Sequence, residues 1–507
     1  MTKGLAVLVV FISTLLSLDA QPRLPVRELP TPPRMEVPPA PEFLWDRKTA
    51  SHLIRRAGFG ASLDEVDRIV AQGFEAALNE LLYFEQMDNS AMEATLAAQN
   101  YPLVRLDNNN RELTNVLGIR QWWLYRMIHS RHQLVEKMAF FWHDHFATAV
   151  VGGTRFVNAN KRPLMLVQND RFRSDALGNF KQMVHEIARD PAMLFWLDNR
   201  SNRKGNPNEN WARELLELFT MGEGNYSEED VREAARAFTG WTLTGGPAKS
   251  DNPYSFIFRP NQHDYDMKSF LGVSGNLDGD DIIDIIFQQE VTAEFIARKL
   301  FEYFAYPDPS EEIVSELAGI FRDSGYETRA LMEAIFRHPE FFSTDAYRAH
   351  IKNPVEFVVG VSRALGLTDP GPLPRQMTLL GQDLFSPPDV GGWTSGVGWI
   401  NTSTILARYN FLNAVITPAR EQDRQRLDLE TTISTHGLST GYAALTYFLD
   451  SLVQSDISFD TRYSLEQYLY TDDGIPVEFD ITDPAAVDEK LRGLIYLIST
   501  LPVYQLN

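Results

Sequence analysis

The sequence predicts a mainly α protein: one large multi-helix domain with long Gly-, Pro- and Trp-rich loops and at most a small β hairpin. Three observations carry that expectation. Apolar residues recur at three- and four-residue spacing in segment after segment, the period of helices with one buried face. Strict alternation, the mark of a half-buried strand, is best developed in one short run, Tyr254-Ser-Phe-Ile-Phe258. The 507 residues, 44% hydrophobic and 23% charged, suffice for a sizeable core without covalent staples.

In chain order, the first twenty residues differ from all that follow. Lys3 precedes a mainly apolar stretch from Leu5 to Leu18, and Ala20 supplies a small residue for cleavage. This layout predicts an export signal over residues 1–20, too short for a comfortable membrane span. A buried N-terminal helix is the alternative. Residues 21–43 carry Pro30, Pro32, Pro33, Pro38, Pro39 and Pro41. Proline fixes φ and removes donors, so this stretch reads as an extended spacer. Residues 44–507 then read as a single helical domain. Helical spacing covers 63–84, 113–129, 133–146, 180–190, 211–219, 230–238, 282–287, 293–304, 310–324 and 329–336. Loops are expected at 244–277 and 365–397, long enough to be functional. Residues 329–343 and 491–504 echo each other: each is an amphipathic helix that stops before an X-Pro step and is followed by an aromatic.

Composition excludes several classes. Lys+Arg 47 against Asp+Glu 68 gives a net charge of −21, which argues against a nucleic-acid partner. The absence of cysteine excludes disulfides, thiol catalysis and thiolate metal sites. No run after residue 20 reaches the ~18 apolar residues of a spanning helix, so no transmembrane anchor is expected after signal cleavage. The expected location is the periplasm or the extracellular space. Walker A, GxSxG and HExxH patterns are missing, as is a GxGxxG after a strand.

The densest chemistry is in Met138-Ala-Phe-Phe-Trp-His-Asp-His-Phe146. His143, Asp144 and His145 offer two imidazoles and a carboxylate, in an aromatic setting that keeps imidazole neutral, as metal ligation requires. Positions two apart do not share a helix face, so a common metal needs the helix to end here. The alternative is a hydrogen-bonded aromatic core. In Asn206-Pro-Asn-Glu-Asn-Trp-Ala-Arg-Glu-Leu-Leu-Glu-Leu-Phe219, Asn206 and Glu209 have capping-box spacing, with Pro207 at the first helical position. Glu214 falls on the apolar stripe of Trp211, Leu215 and Leu218, and Glu217 flanks it; a carboxylate there needs a cation, donors or a metal. Arg232 and Arg236, one turn apart, are the expected partners, making either a buried ion network or a base held by arginines. Ser227 with Asp230, and Asp278 with Asp281, have cap spacing. His263-Asp264 sits on a loop, as a site or as a turn. Pro387 to Trp393 is Gly-rich; Trp393 and Trp399 would form a stacking platform or a hydrophobic lid.

His52-Leu-Ile-Arg-Arg-Ala-Gly-Phe-Gly60, Trp142-His-Asp-His-Phe146, Asn208 to Phe219, Ala234 to Trp241, His263-Asp264 and Pro387 to Trp393 occur in this order. Together they resemble the bacterial domain-of-unknown-function family 1800, from about residue 52 to the end and least clearly over 417–483. The resemblance implies a secreted or envelope protein, often encoded beside a sulfatase-related exported protein; it supplies no reaction. Two readings stay open. One is a metal-dependent hydrolase of an envelope or extracellular glycan. Its catalytic candidates are Glu214, His263, Asp264, Arg213 and Arg236; its ligands to a divalent metal (Zn, Mn or Ca) are His143, Asp144, His145 and Glu217; its substrate contacts are Trp241, Trp393, Trp399 and Arg232. The other is a non-catalytic helical binding or assembly protein that works with an exported partner enzyme.

Overall fold

Helix starts are fixed by side chains that accept the first free N–H groups. Asp46, Ser227, Asp278, Asn353 and Asn401 each close a reciprocal capping box. Two of these, at Ser227 and Asp278, are the caps expected from spacing. The computed structural model describes residues 43–106, 112–150, 164–244, 254–367, 373–417, 427–472 and 475–507. The predicted export signal and, but for Phe43, the spacer lie outside the described residues. The described residues belong to one packed unit.

The elements used below are α1 (Arg47–Ala57), α2 (Val116–His129), α3 (Gln133–His145), α4 (Leu164–Ser174), α5 (Asn210–Glu214), α6 (Glu228–Ala237), α7 (Glu290–Phe304), α8 (Pro354–Ala364) and α9 (Gly441–Val453). The mainly α expectation holds. The periodic stretch 63–84 is two helices, Leu63–Gln72 and Phe74–Leu82, parted at Gly73, whose φ of +84° suits glycine. The predicted helix over 211–219 is α5 followed by a wide π-type turn, Leu215–Thr220. Its start is a correction. Asn206 does not cap it; Asn208 Oδ1 accepts from Asn210 N at 3.0 Å, because Asn208 is tied to Asn202 and to the Asp198 carbonyl. The two echoing helices behave alike: Thr328–Arg337 and Arg492–Thr500 each stop one residue before an X-Pro step that opens a 3₁₀ turn.

Helix α8 escapes the sequence reading because it is apolar nearly all round and rich in valine, which erases the 3.6-residue period. The expected arm at 255–258 pairs antiparallel with Trp241–Thr244. Three further two-stranded antiparallel pairs, each of two or three residues per strand, are too short for alternation to show.

Helix α3 sits at the centre, packed against α1, α2, α4 and Phe74–Leu82. Twelve of its 13 residues are buried, including Glu136 and Lys137. A buried charge is tolerated only when paired and hydrogen-bonded. Glu136 meets this with four donors: Trp123 Nε1 (3.0 Å), Arg126 Nε (3.0 Å), Arg173 Nε (2.9 Å) and Arg173 Nη2 (3.3 Å). Burial pushes its pKa up, but Arg173 and Arg126 outweigh that and hold it at about 2. Lys137 closes an ion pair with Glu356 of α8, under the rings of Phe59 and Tyr303.

Glu136→Gln leaves two guanidinium groups short of their counter-charge in the core and is expected to cost about 3–5 kcal/mol in urea denaturation. Glu93→Gln removes the exposed partner of Arg126 and is expected to cost about 0–1 kcal/mol. Equal losses in the two variants would show that Glu136 does not organise the helix.

Candidate functional site

The C-terminal turn of α3 separates its three polar residues by direction. His143 is 1% exposed and lies among Trp123, Phe385 and Trp393, each ring centroid 5.4 Å from its own. Its Nε2 accepts from Phe385 N at 3.1 Å, and burial pushes its pKa down to about 3, so it is neutral. His145 is buried on another face. Its Nε2–H donates to the Phe219 carbonyl at 3.1 Å, which leaves Nδ1 to accept from Lys299 Nζ of α7, also at 3.1 Å. The π-type turn presents that carbonyl. Burial first, then the Lys299 charge, push His145 well below the usual histidine range.

Asp144, between them, is half-buried. Oδ1 accepts from Trp393 N at 2.7 Å; among the described residues no hydrogen bond reaches Oδ2. Burial raises its pKa to about 6, against the Trp393 N–H and the Lys299 charge. Lys299 is itself lowered by burial, with Asp144 and Glu302 opposing.

The loop of Pro387 to Trp393 joins this point to the second motif. Gly392 has φ +87°, and a Cβ there would lie 2.3 Å from Asp144 Oδ1, so only glycine brings the loop this close. Asp389 Oδ1 accepts from Gly391 N at 2.8 Å, and the Asp389 charge acts on Glu214. Burial, then Glu217 and Asp389, raise Glu214 above the usual range, while the Arg213 charge opposes them. Glu217 accepts from Tyr226 Oη at 3.1 Å. The end of α3, with His143, Asp144, His145, Trp393 and Lys299, is thus linked through the 387–393 loop and the Phe219 carbonyl to a second group, Glu214, Glu217 and Asp389.

Other expected site residues form a separate group. Arg236 donates from Nε to Asp264 Oδ2 (2.9 Å) and from Nη1 to Glu233 Oε1 (2.7 Å). Lys268 Nζ donates to the Asp264 carbonyl at 2.5 Å, and Lys204 Nζ lies 3.6 Å from Asp264 Oδ1. Against burial, the Arg236 hydrogen bond and charge hold Asp264 at about 2, so it is a permanently charged strut. His263 is buried, with Nδ1–H on the Thr239 carbonyl at 2.8 Å. Among the described residues no hydrogen bond or ion pair joins this group to the end of α3.

Four expectations are corrected. Arg232 pairs with Glu229, and Arg236 with Glu233 and Asp264, instead of with Glu214 and Glu217. Arg213 binds Glu209 and Glu228. In each case a carboxylate three or four residues away on the same stretch of chain is a nearer partner. Trp241 is core: it meets Phe238 and Phe256 edge-on, and the Arg189 guanidinium stands 4.4 Å from its ring. Trp399 is buried and makes no ring contact with Trp393, so the two form no platform. Among the described residues no three of His, Asp or Glu are grouped to hold a metal ion.

Sequence reasoning missed Lys299 and Asp389. Lys299 lies one turn after Phe295 and beside Ile296 and Leu300, a cation at the edge of an apolar stripe; that was its one visible signal.

A family model described as "Protein of unknown function (DUF1800)" matches residues 52–506. No curated protein and no solved structure matches the chain.

His143 generates a pH prediction. An unfolded histidine titrates near 6.5, so acid protonates the unfolded chain first. The stability that neutral His143 contributes is therefore complete above about pH 6.5 and is lost as pH falls toward 3. His143→Gln, whose Oε1 can still accept the Phe385 N–H, should make the dependence of unfolding free energy on pH shallower by about 1.4 kcal/mol per pH unit in that window. Denaturation at pH 7 and pH 5 reads this; an unchanged slope would mean His143 titrates as in water.

Proposed function

The chain belongs to the DUF1800 family, and from that premise we propose that it is an exported bacterial protein that performs acid–base chemistry on an extracellular or envelope polymer at the end of α3. One observation carries this reading. Asp144 is a half-buried carboxyl with a pKa raised to about 6, hydrogen-bonded among the described residues through Oδ1 alone, near a lysine whose own pKa is lowered. Groups that give and take protons work best when their pKa lies near ambient pH, and burial beside a charge is how proteins arrange it.

In this reading Asp144 exchanges the proton with substrate. Lys299 sets the charge beside it, and His145, fixed on the Phe219 carbonyl, positions Lys299. Trp393, half-buried above His143, offers an aromatic edge. Glu214, Glu217 and Asp389 put negative charge on the stretch that the 387–393 loop joins to this point, which suits a neutral glycan better than a polyanion. Nε2 of His143 and both ring nitrogens of His145 are already engaged by protein groups, so the proton exchange uses side chains alone.

A second reading is favoured by one fact: His143 and His263 are both sealed, in separate groups. The helical domain would then be a non-catalytic binding or assembly partner of an exported enzyme.

Incubation with neutral and charged bacterial polysaccharides, scored by new reducing ends, separates the two. Asp144→Asn should lower turnover about 10²- to 10⁴-fold while stabilising the fold. The sign follows from the raised pKa: ionising Asp144 costs stability, so the asparagine variant gains on the wild type from about pH 4 upward and holds a constant advantage above about pH 6. Unchanged turnover, or a less stable variant at pH 7, would overturn the acid–base reading.

A further inference from the structure

The motif His52 to Gly60, which the site above does not use, lines a different cleft. It is a narrow cleft between α1, α8 and α9, with Ser51, Arg55, Gly60, Lys352, Gln454 and Asn507 among its walls.

Its electrostatics are one-sided. Arg55 is 8% exposed; Nη1 donates to Gln454 Oε1 at 2.5 Å, while among the described residues Nε and Nη2 have no hydrogen bond within 3.5 Å, the Tyr347 hydroxyl being the nearby acceptor that raises the guanidinium pKa. Asn507 Nδ2, also buried, has none either. The orphaned polar atoms of this cleft are therefore all donors. Neighbouring arginines spend theirs: Arg56 on the carbonyls of Phe304 and Tyr303, Arg348 on that of Val453. Lys352 Nζ donates to the Tyr504 carbonyl at 2.7 Å and stands 3.8 Å from the Tyr504 ring centroid; among the described residues that is its one hydrogen bond. Glu356 is the carboxylate in the wall, and it is already bound by Lys137. Asp456, exposed at the edge, faces Lys48 and Arg348. Tyr347 lies beside Arg55, its ring centroid 5.7 Å away. Burial lowers the pKa of Arg55 to about 10 and that of Lys352 well below its usual range, which shows how little counter-charge reaches them. A buried guanidinium with a free fork matches two oxygens of an anion.

We propose that this cleft binds the oxyanion of a small molecule, a phosphate or a carboxylate, on the free Nε and Nη2 of Arg55, with Lys352 and Asn507 as flanking donors. The site shares no residue with the α3 centre, so it stands or falls independently of the function proposed above.

The test titrates the full chain with inorganic phosphate, sodium acetate or sodium chloride at matched ionic strength, by calorimetry and thermal unfolding. A saturable one-to-one isotherm and a Tm rise of about 2 °C or more with phosphate or acetate, beyond chloride, is expected. Response to phosphate alone or to acetate alone assigns the source of the oxyanion. Arg55→Gln should abolish the response. Should that variant fail to fold, Gln454→Glu keeps the test open: it gives Arg55 an internal carboxylate, so it should raise Tm without added anion and weaken phosphate binding at least tenfold. No heat with any probe and a Tm that follows ionic strength alone, or wild-type binding by Gln454→Glu, would overturn the proposal.

Discussion

The structure depends on burying α3 together with its charges. A helix with twelve of 13 residues out of water ordinarily carries only apolar side chains, but this one holds Glu136, Lys137, His143 and His145. None can remain without partners at that depth. Arg126 and Arg173 must therefore reach Glu136, and α8 must bring Glu356 to Lys137. The Phe385 N–H and the Phe219 carbonyl must lie where the imidazoles can meet them. Segments more than 200 residues apart are fixed in place by one helix.

That constraint also separates structural charge from usable charge. Glu136 is surrounded by donors and held at about 2, while Asp144, at the far end, receives one backbone N–H and is raised to about 6. Two carboxylates on one helix are thus driven apart by their surroundings, the pattern expected when one is scaffold and the other is chemistry. The Asp264 network resembles Glu136 and not Asp144: its carboxylate is locked by Arg236 and serves to hold a loop. The Arg55 cleft is the converse case, a buried cation with too few partners.

Much of this was legible in the sequence. Spacing located α3, α7 and the caps at Ser227 and Asp278, because periodicity and capping are local. It also singled out Asp144, Glu214 and Trp393, though as separate motifs. Their union was not legible: the Asp144–Trp393 hydrogen bond spans 249 residues, and the approach of Gly392 to Asp144 is visible in the fold alone. Arg213, Arg232 and Arg236 each pair with a carboxylate three or four residues away, a choice that helical spacing does not distinguish from partners on another helix. His263 looked like a loop site because nothing in the sequence told that the Thr239 carbonyl would take its Nδ1–H. The cleft at Arg55 required the fold itself, since its walls come from the start, the middle and the end of the chain.

The most direct measurement is the titration of the Asp144 carboxyl carbon by NMR in protein labelled at aspartate Cγ, assigned by difference from Asp144→Asn. The account predicts a pKa about 2 units above that of an exposed aspartate, near 6. A value near 4 would mean that Asp144 is an ordinary ionised surface group, and that the end of α3 holds no carboxyl poised for proton exchange.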